Sequence, residues 1–457
     1  MAILNNALSG ALAAQVALAT AGQNIANLQT KGYTRQGALL TTIGPGTDPR
    51  AAGNGVQVSA LLRFSDGYKS QAMWRAASEL GAHSQTQPYL TQLETVMGDN
   101  TASLSAGIDE FFVALNAVAG DPGSTPLRQQ VLTSAGLMAE RFNSLNNVFN
   151  AQLQSVRTQR SAIIDSANAQ VAIIARLNQQ ISEARATGQN ASSMIDARDQ
   201  AIDDLAGKMA LEVSDNADGT RDVSLKTGQA LVLGNIYGTL KAASTATNPQ
   251  EFSLSFANTT YVLDAAKLGG QLGGLTKFET EKLVPLQSDI ADIARQMGDK
   301  INTQLGIGKK PDGSPGTPLF VYTPGSGPEM LKVSNGFLVE DLAFSADGTP
   351  GDTGNLHKLV ALKSEPITVG SIGSVLLSDA DTQLVGKLGV DSQLNKAALR
   401  TTQTVRTQSI DDWQSTSGVN QDEEAVNLVE YQKMYQANMK VISIANQLFD
   451  ATLAMMG

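Results

Sequence analysis

This chain has no cysteine, two histidines, two tryptophans and only 5% aromatic residues in 457. Without cysteine there is no disulfide framework, thiolate metal site or cysteine nucleophile. That fits a cytosolic protein, or one secreted without oxidative folding. His83 and His357 are too few for a zincin motif or a multi-histidine metal centre. Lys and Arg number 33 against 43 Asp and Glu, for a formal charge of -10, and no basic cluster occurs. A nucleic-acid partner needs such a cluster to neutralise phosphates, so none is expected.

Catalytic signatures are missing as well. There is no G-x-S-x-G nucleophile elbow. Gly308-Lys309-Lys310 lacks the earlier glycine and the final Ser or Thr of a phosphate loop. A calcium loop through Asp215 to Asp222 fails because aligning Gly219 puts Ser214 first and Leu225 where Glu is required. Carboxylate pairs at Asp203-Asp204, Asp411-Asp412 and Asp422 to Glu424 are what a glycosidase would use. On helices they read as solvated faces or N-terminal charges. At the last of them Asn420 caps a helix and Glu423 reaches back in a capping box, with Asp422 and Glu424 suiting the positive helix end. No catalytic, cofactor-binding or metal-binding residue is assigned, and the chain reads as a structural protein rather than an enzyme.

What the chain does have is an apolar helix at each end. Residues 2–30 carry no charge, and heptad spacing gives Leu4, Ala7, Ala11, Ala14, Leu18, Ala21, Ile25 and Leu28, flanked by Leu8. The last helix gives Met434, Ala437, Val441, Ile444, Leu448, Ala451 and Met455. These two sets are the expected assembly interface, with termini pairing with each other and with neighbouring copies. An ordinary coiled coil within a soluble monomer has the same heptads. Seam alanines let backbones approach closely, and in an isolated monomer both helices should be partly disordered until assembly orders them. The first helix lacks the basic start of a signal peptide, and Asn5, Asn6, Ser9, Gln15, Gln23 and Asn24 interrupt it, which argues against a membrane span and membrane insertion.

Between the ends, Gln36 to Thr42 and the alternating Val56, Val58, Ala60 and Leu62 flank a Gly- and Pro-rich loop over 44–55. Residues 31–65 form either a hairpin-like connector or an irregular linker. Helices are predicted from 66 to 209. The longest starts at a Thr125 cap with Pro126 in its first turn and meets no breaker before Gly188. Ala135, Phe142, Phe149, Val156 and Ile163, with Val131, Met138 and Leu145, give it an apolar stripe. From Leu211 short strands take over, with a hairpin at Asp218-Gly219. A helix over 277–305, kinked near Pro285, follows glycine punctuation at 269–274. The expected fold is mainly α with an inserted mainly β domain, an elongated nested rod. Its parts are a terminal coiled coil (1–30 with 420–457), a helical bundle (31–210 with 355–419) and a distal β domain (211–354). The sequence midpoint is expected at the end farthest from the termini.

Two segments resemble a known family. Ala7-Leu8-Ser9-Gly10 and Asn24-Ile25-Ala26-Asn27, with Thr30, Gly32 and Tyr33, are similar to the N-terminal signature of the rod, hook and hook-associated proteins of the bacterial flagellum. Gly418 to Ala425, followed by Tyr431-Gln432, Tyr435-Gln436-Ala437-Asn438 and Val441-Ile442, resembles the end of the hook-associated protein 1 family in particular. Weaker likeness occurs at 270–278, 351–355 and Tyr33-Thr34-Arg35-Gln36. Hook protein would have Gly-Phe-Lys at Gly32-Tyr33-Thr34. The resemblance implies a structural adaptor joining hook to filament, bound to copies of itself, to hook protein and to a second junction protein. It further implies a cytosolic chaperone on the C-terminal helix and export through the flagellar type III apparatus to the extracellular flagellum, without a cleaved signal peptide. Other readings are another axial subunit (hook or rod protein), a type III secreted translocator or a peptidoglycan hydrolase.

Overall fold

The computed structural model describes residues 2–44, 53–99, 103–243, 250–325 and 327–456, so the tip of the expected connector loop lies outside the described residues. Helix α1 (Ala2–Ala26) is followed by β1 (Gln36–Thr42) and β2 (Val56–Arg63), an antiparallel pair, so the connector is a hairpin. Leu39 faces Ala60 and Leu40 faces Val58, which leaves Ser59 as a bulge whose hydroxyl donates to the Leu39 carbonyl at 3.2 Å. An extra residue reverses the parity of a strand. Val56 and Val58 therefore turn inward, but beyond the bulge Leu61 and Arg63 do, and Ala60 and Leu62 face out. The expectation that all four alternate residues share one face is corrected by that bulge.

Four helices follow: α2 (Gly67–Met97), α3 (Leu104–Val118), α4 (Thr125–Ala186) and α5 (Ser192–Lys208). Asp66 caps α2, its carboxylate accepting from the Tyr68 amide at 2.8 Å. At 62 residues α4 is about 90 Å long. Both predicted seven-residue series on it are buried, from Val131 to Ile163. Its cap position is Ser124, one residue before the predicted Thr125, and Ser124 makes no side-chain cap bond.

The β region comprises β3 (Leu211–Asp215), β4 (Arg221–Leu225), β5 (Ala230–Leu233) and β6 (Ile236–Tyr237) in one antiparallel sheet. A second sheet holds β7 (Thr239–Ala242), β8 (Phe252–Phe256) and β9 (Thr259–Leu263). The turn at Gly219, φ +89°, closes the predicted hairpin. Then come α6 (Gly270–Phe278), a π turn over Glu279–Leu283 and α7 (Val284–Ile307). The small hairpins β10 (Phe320–Tyr322) with β11 (Leu331–Val333), and β12 (Pro366–Val369) with β13 (Gly373–Leu376), bracket α8 (Gly354–Ala361). Helices α9 (Ala380–Ser417) and α10 (Gln421–Met456) complete the chain.

The helix predicted from Lys277 begins at Gly270. A Cβ on Gly274 would sit 2.4 Å from the Ala82 carbonyl oxygen, and one on Gly81 only 2.1 Å from that of Gly207. These glycines are contact surfaces where α2 meets α5 and α6, not breaks. Pro285, expected to kink this helix, sits in the first turn of α7 directly after the π turn.

Asparagines on α4 act as a clamp for strands. The Asn178 amide donates to the carbonyls of Arg221 and Gly234, both at 2.7 Å. Asn168 exchanges two bonds with the Leu240 peptide, at 2.8 and 2.9 Å. Asn143 accepts from Met330 at 2.7 Å and donates to Leu331 at 2.8 Å, and Arg128 donates to the Leu342 carbonyl at 2.9 Å. The second half of the chain thus descends α4 from its C-terminal to its N-terminal end. Nesting holds, but the sequence midpoint lies beside the C-terminal third of α4, near the terminal helices. Residues 339–344 and α3 occupy the far end, which corrects the expected distal position of the midpoint and of the first β sheet.

Candidate assembly interface and its elbow

Helices α1 and α10 pair antiparallel. The Asn24 amide donates to Glu424 Oε2 at 3.1 Å, and a Cβ on Gly10 would lie 2.7 Å from Asn438 Oδ1. Ala7, Ala11, Ala14, Ala17 and Ala21 are buried. They take in the half-buried Leu428, Tyr431, Tyr435, Asn438, Ile442 and Ala445 of α10. Large side chains against an alanine stripe bring the axes close. The hairpin covers another side of α1, with the Asn6 amide donating to the Gly53 carbonyl at 3.0 Å and the Val56 amide to Ser9 Oγ at 3.2 Å. By length and composition α1 is apolar enough to cross a bilayer, yet its small-residue face is already packed.

The seam residues read from the sequence separate into two groups. On α1, Ala7, Ala11, Ala14 and Ala21 are buried and Leu4, Leu18 and Ile25 half-buried, whereas Leu8, and Leu28 in the turn beyond the helix, are exposed. On α10 every one of Met434, Ala437, Val441, Ile444, Leu448, Ala451 and Met455 is exposed. The heptad that closes on α1 is the tyrosine-bearing one, and the aliphatic one faces out.

Both helices are rooted in an elbow. Asn24 is buried and uses its whole bonding capacity. It donates to the Gln36 carbonyl at 2.8 Å and to Glu424, and accepts from Tyr33 Oη at 2.8 Å and the Gln36 amide at 3.1 Å. Asn27 and Thr30 bond each other at 3.1 Å in the turn after α1, while Ile25 is half-buried and Ala26 exposed. Gly32 sits at φ +78°, where only glycine is at ease. Arg35 Nε bonds buried Glu424 at 2.9 Å, its Nη1 bonds Glu423 at 2.7 Å, and its guanidinium lies over the Phe64 ring. Asn420 Oδ1 accepts from the Asp422 amide at 3.0 Å as predicted. The carboxylate of Glu423 turns to Arg35, however, so the capping box is only half formed. Tyr431 and Tyr435 face α1, and Gln432 is exposed.

A second tier anchors the hairpin to α5. Arg63 bonds Asp196 at 2.8 Å and Asp199 at 3.0 Å, and Asp196 also accepts the Thr34 amide at 3.2 Å. Arg406 of α9 grips Asp203 with two bonds, at 2.6 and 2.8 Å. Asp203 is buried and paired, which corrects the solvated reading of that acid pair. Burial raises the carboxyl pKa of Asp196 against the pull of Arg63, and that of Asp203 against Arg406. Burial also raises the Tyr33 phenol, helped by Asp196, and lowers the Arg198 guanidinium to about 10. Sequence reasoning did not assign Arg63, Asp196, Asp199 or Arg406. The spacing of Asp196, Asp199 and Asp203 along one face of α5 was the available signal.

Residues 90–320 match the family described as the flagellar hook-associated protein FlgK helical domain, and residues 413–455 match the flagellar basal body rod FlgEFG protein C-terminal family. Flagellar hook-associated protein 1 of Escherichia coli K12 is 26% identical over 99% of both chains. That of Bacillus subtilis 168 is 24% identical over 97% of this chain and 96% of its own. The structure of the flagellar hook junction protein FlgK from Burkholderia pseudomallei superposes with a TM-score of 0.66 at 16% identity, covering 76% of this chain and 100% of that one, a likeness of fold. With half of its length in the helical-domain match, the chain belongs to the flagellar hook-associated protein FlgK family.

Proposed function

We propose that this protein is a non-enzymatic structural adaptor at the junction between the flagellar hook and filament, assembled through α1 and α10. The observation that carries the reading is the aliphatic face of α10, where Val441, Ile444 and Leu448 stand exposed on a helix whose opposite face is closed on α1. These three are 40%, 48% and 61% exposed, and burying what remains of each against a neighbour would stabilise assembly by about 1 kcal/mol. Leu8 on α1 and Leu28 in the turn after it are exposed as well. The end-to-end likeness to proteins named hook-associated protein 1 supports the place in the flagellum.

In this reading the terminal coiled coil (1–30 with 420–457) forms the inner tube, the helical body (31–210 with 355–419) meets axial neighbours, and of 211–354, which runs along α4, the end near residues 339–344 lies outermost with α3. Hook protein contacts one end and a second junction protein the other, so two mechanically different polymers are matched through one subunit. The exposed α10 face needs cover before assembly, which gives a cytosolic chaperone its role during type III export without a cleaved signal peptide. Deleting the gene and viewing the cells by electron microscopy tests the function. The expected result is hooks without filaments, with flagellin lost to the medium. Intact filaments would refute it.

A further inference from the structure

The sequence contains two Asn-Gly pairs, Asn54-Gly55 and Asn335-Gly336. Asparagine before glycine is chemically vulnerable, because no side chain on the next residue screens the main-chain nitrogen that can attack the asparagine amide. The fold treats the two pairs differently.

Asn54 lies just before β2. Its main-chain amide donates to the Ile43 carbonyl at 2.9 Å, its side-chain amide donates to the Gly44 carbonyl at 3.1 Å, and the Gly55 carbonyl accepts from the Ile43 amide at 2.9 Å. Gly55 is also pressed against α1, where a Cβ on it would run into Ser9 Oγ and lie 3.3 Å from Asn6 Cα. Both reacting groups are held in place.

Asn335 and Gly336 are the central residues of a turn after β11, in which the Phe337 amide donates to the Ser334 carbonyl at 3.1 Å. Ser334 fixes the start of the turn, its amide donating to the Leu319 carbonyl at 2.8 Å and its hydroxyl to the Pro318 carbonyl at 2.7 Å. Beyond that anchor Asn335 and Gly336 are exposed. Among the described residues neither the Asn335 side chain nor the Gly336 amide has a hydrogen-bond partner. Gly336 sits at φ +76°, and a Cβ on it would have nothing within 4 Å. The attacking nitrogen and its target are free to approach, and water reaches both.

We propose that Asn335 is a site of spontaneous deamidation and that Asn54 is protected from it. The Gly336 nitrogen gives its proton to hydroxide and bonds to Asn335 Cγ. The Cγ–Nδ2 bond breaks, and ammonia leaves after taking a proton from water. Water then opens the resulting succinimide at one carbonyl or the other, giving aspartate or isoaspartate. Either product replaces a neutral amide with a carboxylate, and isoaspartate also inserts a methylene into the main chain. The change falls just before residues 339–344, which Arg128 ties to α4 through the carbonyls of Val339 and Leu342 at 3.0 and 2.9 Å. The reaction is independent of the chain's place in the flagellum.

The test incubates the full-length protein for days at mildly alkaline pH, in buffer and in denaturing urea. Peptides are then followed by mass spectrometry and by labelling with an isoaspartyl methyltransferase. In buffer the Asn335 peptide should show the mass gain of amide-to-acid exchange and take up the label, many-fold faster than the Asn54 peptide. In urea the two rates should converge, because the bonds that restrain Asn54 are gone. Asn335→Gln should remove the label from its own peptide without changing the Asn54 peptide. Conversion of Asn335 in buffer no faster than that of Asn54, or conversion of Asn335 in urea but not in buffer, overturns the proposal.

Discussion

The Asn24 side-chain amide donates to the buried Glu424 carboxylate across 400 residues of sequence, and this bond joins the end of the first helix to the start of the last. Removing it by Asn24→Ala also strips the Gln36 peptide of both its partners and Tyr33 of its acceptor. Buried groups left without partners cost about 1–3 kcal/mol each. We expect a loss of about 2–4 kcal/mol, confined to the terminal module. Limited proteolysis should release α1 and α10 while the helical body persists. Uniform loss of protection over the whole chain would refute the local role of the elbow.

The buried pair of Arg160 and Glu279 at the π turn makes a second prediction. Both side chains are fully buried, and burial lowers the Arg160 guanidinium despite the carboxylate beside it. Glu279→Leu alone strands a cation and should cost about 3–5 kcal/mol. The double variant with Arg160→Leu should recover most of that, because two apolar side chains need no solvation. Denaturant midpoints of the two variants decide it, and a double variant worse than the single one would sink the idea.

Acid should affect the second tier in a defined direction. Asp196 and Asp203 have raised carboxyl pKa values, so each holds its proton more tightly in the folded chain than in the unfolded one. The linked stability is fully present below the unfolded value of about 3.9 and is lost as pH rises through the folded value. Relative to an Asp196→Asn, Asp203→Asn variant, the native chain should therefore be better placed at about pH 3.5 than at about pH 7. Urea midpoints of both proteins across that range test the sign. A gap moving the other way would show that Arg63 and Arg406 outweigh burial.

Much of this architecture is legible in the sequence because it is written in local periods. The stripe from Val131 to Ile163, the Asp218-Gly219 turn and both terminal helices follow from spacing alone. The rest depends on partners far along the chain. Gly270 to Gly274 read as punctuation until Ala82 comes within contact of Gly274. Asn143, Asn168 and Asn178 look like ordinary polar residues of a helix until strands lie against them. The elbow is assembled from residues near 24, 35, 63, 196, 406 and 424, whose pairing no window of sequence contains. On α10 two heptads compete, and the choice of Tyr431 and Tyr435 for the inner face depends on the alanines of α1 being small enough to receive them.

The terminal helices are separable from the body in the truncation experiment. Deleting 2–30 or 430–457 should leave a soluble core, because the body's apolar side chains pack among themselves in two clusters that, among the described residues, include none of α1 or α10. Circular dichroism and the thermal midpoint should change little beyond the lost helix content, and cells carrying either deletion should make hooks without filaments. A truncated chain that still supports filaments would contradict assembly through these helices.

The outward face of α10 can be tested without deleting anything. Val441, Ile444 and Leu448 are exposed and none of them faces α1, so Val441→Asp, Ile444→Asp and Leu448→Asp together should leave the elbow and the α1 pairing intact. Surface substitutions of this kind usually change stability by less than about 0.5 kcal/mol each. Incorporation should fail nonetheless, since three carboxylates would have to be buried where apolar side chains are expected to pack. Gly10→Val is the converse variant, driving a side chain into Asn438 and prying the two helices apart from within. Asn438→Ala should rescue Gly10→Val by restoring space but should do nothing for the triple aspartate, and that difference in rescue separates closure of the module from its docking.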